Sequence, residues 1–273
     1  MHQLLTILGF VVSFCCMTNS HAAVIVVENT LDSGTGSLRD AVGLATDGDT
    51  ILVNIKGTIT LDSQIDIIGF SNLTILGPYP KHNTITANTG WAGSLFYINN
   101  SEEVLISGLG FSGGNGNTRH VTIENCPIGI IKLQRCLFQN DTLSTLGGSG
   151  AVSQVINSRV KFMQCSFINN EAEIGGALNF NAISKATIQN CTFSGNNATG
   201  YAGAIFVDGT TEISLEYNTF IHNTSSGAPE AVKTTGGTRI YIENNAIGDN
   251  GTGQQLQLLG IVVSNGGNRI KLN

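Results

Sequence analysis

Glu216 and Glu243 stand 27 residues apart, each at the same place in a recurring segment, and Arg239 precedes the second by four residues. Two carboxylates facing one groove at a set separation are what hydrolysis of a glycosidic bond needs. A calcium-dependent elimination would need several Asp or Glu on neighbouring coils, together with a basic residue. The sequence offers no adjacent Asp pair and no Gly-His-Gly to complete either set. No catalytic residue, cofactor or metal ligand is therefore assigned. Glu216, Glu243 and Arg239 are the best-placed candidates, and calcium enters only if the chain is a lyase. The plainer reading of the three is a solvated strand face with a salt bridge, and the residues favour it.

Other reactive side chains are more scattered. Asp47-Gly-Asp49 carries the residues of a metal turn, but it reads as the stop of a short helix. Gly113-Gly-Asn-Gly116 is similar to part of a calcium-binding nonapeptide, yet Thr118 sits where Asp is required and no tandem copy follows. His82, His120 and His222 have no nucleophile near them in sequence and read as surface or loop residues. Trp91 and Tyr97 offer a platform for a sugar ring, although packing beneath a loop is the commoner fate of such residues. Arg269-Ile-Lys271 matches one fragment of the polygalacturonase signature, with the rest missing. Asn-x-Ser/Thr triplets at Asn72, Asn99, Asn140, Asn190, Asn197, Asn223 and Asn250 reflect abundant Asn and Thr.

The elements that would position these groups come from a repeat. Ile131-Lys-Leu-Gln-Arg-Cys-Leu-Phe138 aligns with segments beginning at Val160, Ala186, Ile213 and Ile240, and Val104 opens a looser copy. The sixth positions, Cys136, Cys165, Cys191, Asn218 and Asn245, follow at steps of 29, 26, 27 and 27. Alternating apolar and polar residues predict a short strand in each. A polar residue follows three places after each aromatic or its equivalent: Asp141, Asn170, Asn196, Asn223 and Asn250. A second strand opens on small residues, as in Gly175-Gly-Ala-Leu178 and Ala202-Gly-Ala-Ile205. Such a unit cannot bury its apolar side alone, so successive units must stack. The spacing predicts an all-β fold: a right-handed, single-stranded parallel β-helix of about eight coils. Its inward columns would be Ile131/Val160/Ala186/Ile213/Ile240, Leu133/Phe162/Ile188/Leu215/Ile242 and Phe138/Phe167/Phe193/Phe220/Ile247. Asparagines would form ladders at the corners, where Asn also tolerates left-handed backbone.

Residues 1–23 read as a signal peptide, with a short apolar run over 4–14 and small residues at its end. No later stretch is apolar enough to span a bilayer. Residues 24–50 form an N-terminal cap, in which Ser37 caps a short helix with Asp40 as partner and Leu38, Ala41, Val42 and Ala45 as its apolar face. Residues 51–273 form the β-helix. Composition agrees: 34 of 273 residues are glycine, 12% are charged and 41% are hydrophobic. A net charge of −6 and the lack of a basic stripe argue against nucleic acid. Cys15 and Cys16 would leave with the leader, and Cys126, Cys136, Cys165 and Cys191 lack zinc spacing. The last three share one repeat position, which predicts an inward column of free thiols.

Two stretches carry a family likeness. Val27 to Ala41, with Gly48-Asp-Thr-Ile51 and Asn72-Leu-Thr-Ile-Leu-Gly-Pro78, resembles the N-terminal region of bacterial surface β-helix proteins. An S-L-R-E-A helix precedes the coils there, and Asp40 stands here for the usual Glu. The FxxN and GGA[ILV] elements, as at Phe167 to Asn170 and Gly175 to Leu178, resemble the repeats of chlamydial polymorphic outer membrane proteins. The solenoid itself is similar to those of pectate lyases. These likenesses imply a secreted or cell-surface location and say little of activity. The reading favoured is a scaffold for adhesion or carbohydrate binding without catalysis, contacting a polysaccharide or a host or cell-surface glycan. A polysaccharide lyase or glycoside hydrolase is the second reading, and a module of a larger surface assembly the third. No oligomeric state is assigned.

Overall fold

The computed structural model describes residues 22–271 except 114, 115, 117 and 145–147. The leader through position 21, with Cys15 and Cys16, and the middle of Gly113-Gly-Asn-Gly116 lie outside the described residues.

The chain is a parallel β-helix whose strands stack into long sheets. A ten-strand sheet begins with Val24–Val26, Thr50–Leu52, Asn72–Leu76 and Glu103–Ser107. It continues through Ile131–Gln134, Arg159–Met163, Lys185–Gln189, Glu212–Glu216 and Arg239–Glu243 to Ile261–Gly266. A nine-strand sheet runs from Gly57–Leu61 to Arg269–Ile270, and an eight-strand sheet from Ile65–Ile68 to Leu256–Leu258. A fourth, of three strands, joins Glu171–Ile174, Asn197–Tyr201 and Thr224–Gly227. The coils follow the right-handed sense that parallel crossovers obey. There are about nine turns, because Val24–Val26 already pairs with Thr50–Leu52 and adds a coil before the recognisable repeat.

The inward columns stack in the expected register, Ile131 on Val160, Ala186, Ile213 and Ile240. Residues of the second column are buried except Ile242, which is half-buried near the C-terminal end. In the aromatic column Phe167 and Phe193 lie 4.5 Å apart at 2°, and Phe193 and Phe220 lie 4.7 Å apart at 5°. Parallel strands at one spacing leave stacked rings no other arrangement. Small residues are needed where the chain doubles back: a Cβ on Gly176 would come within 2.2 Å of the Gly203 carbonyl oxygen.

The buried asparagines form the ladder. The Asn170, Asn196 and Asn223 Nδ2 groups donate to the Oδ1 atoms of Asn196, Asn223 and Asn250 at 2.9, 2.9 and 2.8 Å. Gln255 ends the ladder by accepting from Asn250 Nδ2 and donating to the Asn250 carbonyl. Left-handed backbone falls one residue before each rung, at Asn140, Asn169, Gly195, His222 and Asp249, rather than on the rung itself. The corner residue takes the strained conformation, and the rung is left free to turn inward.

Ser37 Oγ accepts from the Asp40 amide at 3.1 Å and caps the helix Leu38–Leu44. Leu38, Ala41 and Val42 enter the core, and Ala45 packs against it half-buried. Arg39 ties the helix to the first coil through Asp32 at 2.6 Å and the carbonyls of Ser63 and Gln64.

Cys126, Cys136, Cys165 and Cys191 are buried and free. Burial, reinforced by its neighbouring thiols, pushes the Cys165 thiol well up. Titration of the unfolded, unreduced chain over residues 24–273 should therefore find four thiols, and fewer than three would refute a free column. Phe193→Ala should cost about 3–5 kcal/mol. Asn196→Ala should cost a similar amount, since it strands several buried polar groups at ~1–3 kcal/mol each. Asn197→Ala, one residue outside the ladder, should cost well under either. Urea midpoints for the three variants test the order.

Candidate functional site

Outward side chains of the ten-strand sheet form columns as regular as those inside. Glu216 and Glu243 are register partners on adjacent strands. Glu216 accepts from Ser214 Oγ at 2.7 Å and Gln189 Nε2 at 3.1 Å. Glu243 accepts from Asn244 Nδ2 at 3.1 Å, Asn265 Nδ2 at 3.3 Å and Tyr217 OH at 3.4 Å. The strand register brings the two carboxylates together on an open sheet face. It does not bring Arg239 to them. Arg239 is in register with Glu212 at the far end of the strand, about 13 Å from Glu243 along the chain.

The same face holds a second cluster, in which Lys132 and Lys161 stand at the second position of the eight-residue unit and Arg159 and Lys185 one residue before it. Lys132 is the register partner of Lys161, and Arg159 is the register partner of Lys185. Two like-charge pairs thus sit on three consecutive strands, in a chain whose net charge is −6. Lys185 has a counter-ion in Glu212 at 2.6 Å, and Arg159 donates to the Ile128 carbonyl at 3.0 Å. Like charges directly opposed across strands destabilise a sheet. A shallow depression beside them is lined by Ile130, Arg159, Lys161, Lys185 and Thr187.

The remaining candidates separate. Asp47 Oδ1 accepts from the Ser71 amide at 2.7 Å, and Asp49 accepts from the amides of Ala23 and Thr46 at 2.7 and 2.8 Å. Both aspartates thus close turns; the amide bonds from Ala23 and Thr46 hold the Asp49 carboxyl below its usual range. Trp91 is half-buried, donating through Nε1 to the Leu61 carbonyl, and so offers no open platform. Tyr97 OH donates to Glu124 at 2.9 Å; burial and that carboxylate raise its pKa. His82 lies edge-on to Tyr79 with centroids 5.5 Å apart, and His222 is an exposed corner residue. Lys271 pairs with Asp249. Among the described residues, no group of three or more His, Cys, Asp or Glu is placed to hold a metal ion.

His120 corrects the expectation of a surface residue. It is fully buried among Phe111 and Phe138, with centroids 5.9 and 6.0 Å away, and its Nε2 lies 3.5 Å from Asp141 Oδ2. Buried beside the aromatic column, the ring is desolvated, which lowers the imidazole pKa to about 3. Arg119 beside it donates to the carbonyls of Ser149 and Gly150. Burial lowers its pKa to about 10 against the pull of Asp141 and Glu124.

No family model matches the chain, and no curated protein matches it. Among solved structures it is similar to ORF18 of Geobacillus virus E2, with a TM-score of 0.46 and 12% identity. That likeness covers 89% of this chain and 61% of the viral one, so the chain spans about three fifths of that protein's length. No helix among the described residues is long and apolar enough to cross a membrane.

The buried imidazole makes stability depend on pH. Above about 6.5 both folded and unfolded histidine are neutral and the native state loses nothing. Between about 6.5 and about 3 only the unfolded state takes the proton, so stability falls as pH drops. The slope should approach ~1.4 kcal/mol per pH unit between pH 6 and 5 and vanish in His120→Gln. Urea titrations of both proteins at pH 7, 6 and 5 measure it.

Proposed function

We propose that the chain is an exported, surface-associated β-helix that binds an anionic glycan on the outer face of its ten-strand sheet, without catalysis. The observation that carries this reading is the in-register pairing of Lys132 with Lys161 and Arg159 with Lys185. Folding gains nothing from such repulsion, whereas a bound polyanion would convert it into attraction. Coils ~4.8 Å apart repeat at close to the length of one sugar residue, so a linear acidic polysaccharide could meet successive cations. The open face, which spreads contacts over several coils, also suits binding better than chemistry. The apolar leader supports export. The likeness of the FxxN and GGA[ILV] elements to chlamydial outer membrane repeats, and of the Ser37–Asp40 helix to bacterial surface β-helix caps, supports a surface location.

The paired Glu216 and Glu243 favour a lyase or hydrolase as the second reading. One experiment separates the two. The mature protein is presented with polygalacturonate, alginate and neutral dextran at low and high salt, with and without calcium, and both retention and product release are followed. Acidic polymers should be retained, and retention should weaken with salt. Lys132→Gln with Lys161→Gln should weaken it by roughly tenfold, about 1.4 kcal/mol, without loss of stability. Glu216→Gln with Glu243→Gln should leave it intact. Turnover that collapses in the glutamine pair would install the enzyme reading. Equal retention of dextran would end the anionic one.

A further inference from the structure

The corner between the ten-strand and nine-strand sheets is two residues long after Ser107, Gln134, Met163, Gln189, Glu216 and Glu243. After Leu76 it is six, residues 77–82, before the chain resumes at Asn83–Ala87. This loop is pressed onto the body rather than hanging from it. A Cβ on Gly110 would lie 2.0 Å from the Pro80 carbonyl oxygen. Inside the loop the Tyr79 carbonyl accepts from the His82 amide at 3.0 Å, and the buried Asn83 Nδ2 donates to the Val53 carbonyl at 2.8 Å.

Beside the loop lies a cleft of about 530 Å³, within the range of small-molecule sites. Its floor is bare backbone: a Cβ on Gly108 would meet the Gly77 carbonyl oxygen at 2.0 Å. One wall is Tyr79, 63% exposed and buttressed by His82, together with Pro78 and the half-exposed Leu52 and Leu76. Arg135 also lines the cleft; its guanidinium donates to Ser107 Oγ at 3.2 Å and forms no salt bridge among the described residues. An aromatic face, an apolar edge and a cation lining one cleft suit a ring with one apolar face and one acidic substituent.

We infer that this cleft is a discrete binding site for a single sugar acid, with the pyranose ring on Tyr79 and its carboxylate on Arg135. It is separate from the lysine and arginine face, and it stands or falls apart from the polymer reading. The probe is free galacturonate, with galactose as the neutral control, titrated by calorimetry and by NMR. Galacturonate should bind saturably and at least several-fold more tightly than galactose. Tyr79→Ala and Arg135→Asn should each raise Kd by roughly tenfold or more. Lys132→Gln with Lys161→Gln should leave it unchanged. Asn is the conservative choice at 135 because Asn190 and Asn244 hold the same left-handed corner with φ of 54° and 52°, so an unchanged urea midpoint checks the fold. No saturation by galacturonate, equal binding of galactose, or wild-type affinity in both cleft variants would overturn the site. Loss in the lysine variant alone would transfer binding to the sheet face and overturn it as well.

Discussion

From Asn170 to Asn250 each coil lays its corner amide directly over the corner amide of the next, and the register of these coils follows from that. Asn196 shows how completely the group is used. Its Oδ1 accepts from both the backbone and side-chain amides of Asn170, while its Nδ2 donates to the Phe167 carbonyl and to Asn223. These are buried bonds in low dielectric, where an unmade partner is expensive and a made one is strengthened. A slip of one residue in any of these coils would break the ladder and turn its apolar set outward at the same time. The ladder therefore fixes the register, and the register sets both the inner columns and the outer ones.

Thiol and amide alternate as solutions to one corner. Cys136, Cys165 and Cys191 occupy the position that Asn218 and Asn245 fill in later coils. The asparagines join it by bonds across coils, Asn218 Nδ2 to Asn245 Oδ1 at 3.0 Å and Asn245 Nδ2 to Asn268 Oδ1 at 3.0 Å. The cysteines bond both within a coil and across to the one before: Cys191 Sγ donates to the Gln189 carbonyl at 3.3 Å, and Cys165 Sγ donates to the Leu133 carbonyl of the preceding coil at 3.3 Å. A thiol can do so because it fills the site as a small hydrophobe with one weak donor. At the junction the Cys191 amide donates to Asn218 Oδ1 at 2.9 Å, so the two chemistries meet without an orphaned group.

The inner columns were legible in the sequence because apolar positions recur at one period and a stacked fold brings like to like. The aromatic column, the asparagine ladder and the thiol column could all be aligned by eye. The outer face was less so. Arg159 and Lys185 fall one residue before the aligned unit begins, and their pairing exists only between coils, some 26 residues apart. Arg239 precedes its unit in the same way, which made it look like a neighbour of Glu243 rather than the register partner of Glu212. His120 read as a loop residue since nothing adjacent in sequence tells that Phe111 and Phe138 enclose it. The cleft beside residues 77–82 depends on an insertion in a coil whose repeat signature is faint.

A solenoid separates the residues that hold it together from those that meet the outside. Phe193 and Asn196 face inward and carry cohesion; Lys161 and Lys185 face outward from strands whose inner partners, Phe162 and Ala186, are buried whatever the outer side chains are. The repulsion between Lys132 and Lys161 can therefore persist, since it amounts to about 0.2–1 kcal/mol against a core of stacked rings and saturated amides. In a small globular domain such a pair would compete with a scarce core. In this fold each added coil extends the core and the outer face together, so a row of unfavourable charges costs folding little. That is the physical ground for reading function from the outer columns, and for looking first where the register has placed like beside like.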